Sequence, residues 1–267
     1  MYDTRYHRAT SIAEAAALFA DAGEGHYLSG GQTLIPTMKQ RLAAPSDVID
    51  LSGIAELKGI VADGDAVSIG AAATHAEVHA APAVRQAIPA LAELAGMIGD
   101  PAVREMGTIG GSLANNDPAA DYPAAALALG ATIHTDKRTL AAEDFFKGLF
   151  ATALEEGEIV TRVAFPVPAT AAYQKFRNLA SRYAIAGVFV ARMQDGAIRV
   201  GVTGAGSSGV FRAAAIEQAL AASWSPAAID AVAIDPAGML SDIHASAAYR
   251  ANLVKVMAKR AVAAATR

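Results

Sequence analysis

Two glycine doublets carry the most chemistry in this 267-residue chain. One lies in Ser29-Gly30-Gly31-Gln32-Thr33; the other, about eighty residues further on, lies in Thr108-Ile109-Gly110-Gly111-Ser112. Without a Cβ in the way, successive backbone N–H groups can converge and form a concave nest for anionic oxygens. Ser and Thr hydroxyls flank both doublets as further donors. After the first loop, a helix directs its positive N-terminal end at the same place. Two such nests suit a pyrophosphate, which has oxygens on both sides. Either doublet alone serves equally well as a turn; the pair, each with hydroxyl neighbours, points to phosphate. Neither runs on to Gly-Lys-Ser/Thr, so neither is a P-loop.

The elements around the loops follow from periodicity and caps. Ser11-Ile-Ala-Glu14 reads as a capping box opening a helix that Gly23 and Gly25 stop. His26–Leu28 reads as a strand, Ile35–Leu42 as a helix and Asp47–Leu51 as a strand, which makes a compact parallel βαβ unit around the first doublet. Gly59–Ala62 and Ala66–Ile69 flank Asp63-Gly64-Asp65 as a hairpin. Thr74-His-Ala-Glu77 is a second capping box, a longer helix spans Ala83–Met97, and the second doublet falls in a loop region. A helix-like stretch, Ala119–Leu129, and strands at Ala131–Thr135 and Glu158–Phe165 come next. Pro166-Val-Pro168 reads as a linker. Beyond it come a strand over Tyr173–Phe176, a hairpin around Asp195-Gly196 with a type I′ signal, and two or three alanine-rich helices, the last over Ala247–Ala265. The class is α+β.

Composition and motif order remove other functions. The chain has no cysteine, so it holds no disulfide, thiol nucleophile or cysteine-ligated iron–sulfur cluster. A net charge of −4 with no basic stripe argues against nucleic acid. Only 18% of residues are charged against 53% hydrophobic, which hints that partner chains cover part of the surface. The N-terminus has no apolar h-region and no apolar run reaches spanning length, so the expectation is a cytoplasmic protein without a transmembrane segment. Gly204-Ala-Gly206-Ser-Ser-Gly209 fits the Rossmann pattern literally, but its strand is paired antiparallel by the Asp195-Gly196 hairpin, and no acidic-ended strand follows. His75 and His79 share a helical face without the zincin order and read as surface or half-buried residues. Gly110-Gly-Ser112-Leu-Ala114 lacks the last glycine of a nucleophile elbow.

Ser29-Gly-Gly-Gln-Thr-Leu-Ile-Pro36 and Arg104-Glu-Met-Gly-Thr-Ile-Gly-Gly-Ser-Leu-Ala-Asn-Asn-Asp-Pro-Ala-Ala-Asp121 resemble the two FAD signatures of the medium subunits of molybdenum hydroxylases, the carbon monoxide and xanthine dehydrogenase type. Ser241-Asp-Ile-His-Ala-Ser246 with Tyr249-Arg250 resembles that family's C-terminal domain, so the likeness covers the whole chain. It implies a two-lobed FAD-binding domain of the vanillyl-alcohol-oxidase type over residues 1–166, with lobes of about 1–54 and 55–166. An α+β C-terminal domain of antiparallel sheet plus helices would occupy residues 170–267.

The same resemblance implies site roles. Ser29 to Thr33 and Thr108 to Ser112 would hold the diphosphate, with Leu28, Leu34 and Ile35 continuing along the cofactor. Asp121 would accept hydrogen bonds from ribose or ribityl hydroxyls. Asp117 would be its neighbour or a cap; Ile98 and Val160 would line the flavin or adenine, or simply pack in the core. Lys175 would contact the cofactor, and Tyr183 would face the isoalloxazine as a gate or sit at a hairpin start in the core. Asn115-Asn116 stands where some relatives have Ala-His, which touches the flavin environment rather than phosphate binding. No residue need be an acid, base or nucleophile. The implied assembly adds a [2Fe–2S] small subunit and a molybdenum-cofactor large subunit, as a dimer of heterotrimers, in which this chain passes electrons to an acceptor. The alternatives are a free-standing FAD-dependent oxidoreductase of the same fold, and a non-redox ligand-binding or assembly module.

Overall fold

The computed structural model describes residues 1–266 as three larger sheets and a two-stranded one, Phe146–Gly148 with Ala151–Thr152, with helices packed around them. Near the N-terminus, strand Asp47–Asp50 lies between Arg5–Arg8 and Gly25–Leu28, parallel to both. The expected βαβ unit is therefore present, with helix Leu34–Lys39 as its crossover. The added outer strand, Arg5–Arg8, is half polar and exposed and gives no alternation to read. Ser11 caps helix Ile12–Ala20 by accepting the Glu14 N–H at 3.1 Å. The reciprocal half of the box lands one residue earlier: the Glu14 carboxylate accepts from Thr10 N and Oγ1 at 2.7 and 2.6 Å, not from Ser11.

The second sheet is antiparallel, in the order Ile60–Ala62, Ala66–Gly70, Val160–Pro166, Thr132–Thr135, Thr139–Ala141. Over it pack short helices, Pro82–Ala87 and Pro89–Gly96 among them. The single helix expected over 83–97 is thus two, because Pro89 has no N–H to continue the ladder and Ile88 takes φ −139°, ψ 70°. Thr74 forms the expected capping box with Glu77. The glycines expected in a loop lie elsewhere. Asp100 caps helix Pro101–Met106, and Gly110 and Gly111 form the first turn of helix Ile109–Asn115, capped by Thr108.

Strands Thr170–Arg177, Ala184–Arg192, Ile198–Thr203 and Phe211–Arg212 make the third, antiparallel sheet, backed by helices Ala214–Ala222 and Ala247–Ala265. Its central hairpin is not the type I′ turn expected. Of Asp195-Gly196 only the glycine has positive φ, at 84°, and the turn closes from Gly196 N to Met193 O at 3.0 Å. Helix Tyr122–Leu129 is buried on every face, wedged between the second and third sheets. A Cβ on Gly201 would lie 2.1 Å from the Ala124 carbonyl oxygen, so glycine lets the third sheet seat directly on this helix. One core accordingly joins Leu91, Tyr122, Phe145 and Phe165 to Tyr173 and Phe189 of the third sheet. No helix among the described residues is long and apolar enough to cross a membrane.

Candidate cofactor-binding site

The first doublet sits where a parallel strand delivers it, at the carboxyl end of Gly25–Leu28, the usual ligand side of such a sheet. Gly31 has φ +71°, a left-handed conformation that glycine accepts without strain. Among the described residues, the backbone N–H groups of Gly30, Gly31, Gln32 and Thr33 donate to no protein acceptor. Thr33 makes no side-chain cap for the following helix, which leaves that end open as well. This is the nest the sequence suggested.

The two loops meet. Ser29 Oγ and Thr108 Oγ1 are 2.9 Å apart, sharing a hydrogen bond. A Cβ on Gly30 would lie 2.0 Å from the Met106 carbonyl oxygen and 2.7 Å from Gly107 Cα, so only glycine permits the approach. The second doublet does not form a matching nest. Ile109 N donates to Ala73 O at 3.1 Å, Gly110 N to Ala71 O at 2.9 Å, and Gly111 N to Thr108 Oγ1 at 3.1 Å. These bonds fasten the helix start to the end of strand Ala66–Gly70, and Gly110 is glycine because a Cβ there would fall 2.5 Å from the Ala71 Cβ. Expecting open amides on both sides was half wrong: the second loop offers hydroxyls and a Cβ-free surface.

A cavity of about 600 Å³ opens between the loops and runs toward the third sheet. It is lined by Leu28, Ser29, Gly30, Gly31, Gln32, Thr33, Leu34, Ile98, Thr108, Gly110, Gly111, Ser112, Asp117, Asp121, Val160, Lys175 and Tyr183. Ile35 and Ile109 are the exceptions among the expected site residues: neither takes part in the lining, and the Ile109 side chain is fully buried in the core. At the far end, Asp121 Oδ1 accepts from Tyr173 Oη at 2.5 Å and Oδ2 from Lys175 Nζ at 2.9 Å. Burial pushes the Asp121 carboxyl above its ordinary range, against the pull of the Lys175 ammonium and the Tyr173 hydroxyl. Lys175 is spent on this pair and on the Met97 carbonyl at 3.3 Å. Asp117 accepts from Ala119 N at 2.8 Å, which gives it the turn-capping role as well as a place on the wall. Val160 and Ile98 both line the cavity and pack on the core. Tyr183, 51% exposed, stands at the mouth, preceded by Arg182 at φ 63° in the loop closed by Asn178 N donating to Tyr183 O at 2.8 Å.

The family model for the FAD binding domain in molybdopterin dehydrogenase matches residues 2–168. The chain belongs to this family. It is 36% identical to the carbon monoxide dehydrogenase medium chain of Afipia carboxidovorans, over 96% of this chain and 94% of that one. It is 35% identical to the nicotine 6-hydroxylase medium subunit of Paenarthrobacter nicotinovorans, over 97% and 95%. Among solved structures, a chain of the Cu,Mo-CO dehydrogenase in its cyanide-inactivated form superposes with a TM-score of 0.90 at 34% identity, covering 99% of this chain and 98% of that one.

The residues present fit the FAD that defines the family. Consecutive unpaired amides face a Cβ-free wall across a space of dinucleotide scale, and a buried carboxylate stands near the opposite end. Sequence reasoning missed many lining residues, Tyr27, Glu158 and His75 among them. Tyr27 stacks on Phe19 with centroids 4.8 Å apart and donates to Gly157 O at 3.1 Å. Glu158 is fixed by Arg138, whose hydrogen bonds hold its carboxyl down at about 2. His75, expected at or near the surface, is buried on the cavity wall. Its partner in the helical pair, His79, bonds the Ala92 carbonyl through Nδ1 at 2.8 Å, and no metal-binding cluster occurs among the described residues. The Rossmann-like segment after Ile198–Thr203 turns back into the antiparallel strand Phe211–Arg212 instead of opening a helix.

Proposed function

We propose that this chain is the FAD-binding electron-transfer subunit of a heteromeric molybdenum hydroxylase, standing between a [2Fe–2S] subunit and an electron acceptor. The observation that carries the reading is the joined pair of loops, with four consecutive open amides on one side of the cavity and a glycine wall on the other. In this reading residues 1–166 form the FAD-binding domain, in lobes of about 1–54 and 55–166, and residues 170–267 a C-terminal domain that closes over the flavin end. The amides of Gly30 to Thr33, with Ser29, Thr108 and Ser112 hydroxyls, hold the diphosphate. Asp121, oriented by Tyr173 and Lys175, accepts from hydroxyls of the cofactor; Leu28, Leu34, Ile98 and Val160 give the apolar walls; Tyr183 gates the ring. When bound, FAD supplies the redox chemistry, while the protein supplies placement and exclusion of water.

A chain without cysteine cannot hold a thiolate-ligated cluster, so the cluster and the molybdenum cofactor belong to partner subunits, assembled as a dimer of heterotrimers in the cytoplasm. The names of the relatives, a carbon monoxide dehydrogenase medium chain and a nicotine 6-hydroxylase medium subunit, support this assembly. Affinity purification of the tagged chain from its native host tests it. The expected result is stoichiometric FAD and two co-purifying chains carrying iron and molybdenum. Rapid single-turnover reduction of the isolated flavoprotein by an organic substrate would favour a free-standing oxidoreductase instead. Failure to retain any flavin after FAD addition would favour an assembly module.

A further inference from the structure

His75 opens the helix His75–Ala80 and is only 5% exposed. Its backbone is tied to the second loop: Thr74 bridges Thr108, and His75 N donates to Gly107 O at 2.9 Å. The ring lies against Tyr122, centroids 5.4 Å apart and tilted by 49°. Its other edge covers Gly107, where a Cβ would fall 2.7 Å from Nε2. Gly107 has φ −63° and ψ 139°, an ordinary conformation, so glycine is needed there for the room it leaves the imidazole and not for the backbone. Among the described residues, neither ring nitrogen has a hydrogen-bond partner; Nδ1 is shielded on all sides, which leaves Nε2 as the nitrogen a ligand could meet. A buried polar group left unsatisfied costs about 1–3 kcal/mol, and such groups are rare. The ring stands on the cavity wall, one residue across the bridge from the Thr108 hydroxyl that joins the two loops.

We infer that His75 is a cofactor-binding residue, whose imidazole Nε2–H donates a hydrogen bond to a diphosphate oxygen of the bound dinucleotide at the junction of the loops. The inference rests on the FAD reading above and adds to it a residue outside both glycine motifs. Burial, with Arg104 nearby, holds the His75 ring down at about 4, so at neutral pH it is uncharged and has one N–H to give. It supplies a directed donor where the amides of Ile109 to Ser112 are already committed.

The test uses the full chain titrated with FAD, following flavin fluorescence, and the ³¹P spectrum of the bound cofactor. His75→Phe keeps a flat ring against Tyr122 but has no donor. It should weaken FAD binding about 10- to 100-fold, the loss of one hydrogen bond to a charged group, and move one of the two phosphorus resonances. His75→Gln, which restores a donor, should recover most of the affinity. If His75→Phe does not fold, ¹⁵N-histidine spectra of the wild-type chain decide, since FAD should shift the His75 ring nitrogens. Wild-type affinity in His75→Phe, unmoved phosphorus resonances, or unshifted ring nitrogens would each overturn the inference while leaving the FAD reading intact. A wild-type chain that takes up no FAD would instead sink the function from which it starts.

Discussion

Replacing Gly30 with alanine puts the meeting of the loops to a quantitative test. The new Cβ would start 2.0 Å from the Met106 carbonyl oxygen and 2.7 Å from its carbon, both backbone atoms that no side-chain rotation can move. Non-bonded carbon contacts settle at about 3.5 Å, so the strands of the two loops must part by more than about 1 Å. That displacement stretches the 2.9 Å contact of Ser29 Oγ with Thr108 Oγ1 beyond hydrogen-bonding range. The fold should lose about 1–3 kcal/mol, the usual cost of overpacking, and remain folded. Binding should suffer more. A diphosphate aligned between the loops loses at least two charged hydrogen bonds of about 1.5–3 kcal/mol each, which is a loss of 100-fold or more in FAD affinity. Fluorescence titration with FAD measures the loss, and thermal unfolding followed by circular dichroism confirms the fold. Gly23→Ala serves as control, because its Cβ would meet nothing closer than Ser46 Oγ at 3.6 Å. A Gly30→Ala protein with melting and FAD affinity within threefold of wild type refutes the close-approach reasoning outright.

Lys175→Met strands the Asp121 carboxyl in the core with only Tyr173 as partner; stability should fall by about 3–5 kcal/mol, and adding Asp121→Asn should restore part of it in urea unfolding. Tyr183→Ala should leave FAD affinity near wild type, since the residue stands at the mouth, yet change the rate at which reduced flavin is reoxidised; identical stopped-flow traces would remove the gate. Arg138 holds the Glu158 carboxyl at about 2, below its unfolded value near 4.3, so the stability this gives is complete above pH 4.3 and lost as pH falls toward 2. Discounted for the partial exposure of Arg138, it amounts to about 1–2 kcal/mol, and Glu158→Gln should flatten urea midpoints between pH 6 and 2.5; parallel slopes would contradict it. In hydrogen exchange, the amides of Gly30 to Thr33 should exchange fast without FAD and slowly with it, whereas those of Ile109 to Gly111 should be slow in both, being bonded already. Equal protection by FAD at both loops would count against the difference drawn between them.

What could be read from sequence was what neighbours in the chain decide. The parallel unit around Ser29 was legible because strand, glycine doublet, helix and strand follow within a short span, and Thr74 with Glu77 announced its cap correctly. Helix 83–97 was misjudged because its apolar pattern continues through Pro89, and pattern outweighed the missing N–H. Gly110 and Gly111 looked like loop because glycine is a poor helix former. Their helix stands because tertiary bonds to Ala71 and Ala73 replace what propensity lacks. His75 shows the limit most plainly. The capping box fixes it at a helix start, a position usually wet, and only the arrival of Tyr122 and the space over Gly107 bury it. In the same way, family resemblance pointed separately to Asp121 and to Lys175, but nothing local says that the lysine holds the carboxylate, with Tyr173 on its other oxygen.

The two doublets show that one dipeptide can be required for different physical reasons. In the first loop, Gly31 is needed for a left-handed φ and Gly30 for contact with the Met106 carbonyl, and together they leave the chain's N–H groups unspent. In the second, Gly110 is needed to lie against Ala71, Gly111 presents a bare surface to the cavity, and the amides of Ile109 to Ser112 are bonded in holding the helix in place. The consequence is a division of labour. Four unpaired amides gathered in one loop are costly to leave unsatisfied, so the first loop is the side with donors free for an anion. The second, with the amides of Ile109 to Ser112 bonded without any ligand, stands as the opposite wall of the cavity. A wall whose glycine amides are already bonded finds its further donors in side chains, and Thr108, Ser112 and the ring of His75 are the ones the fold brings to that edge.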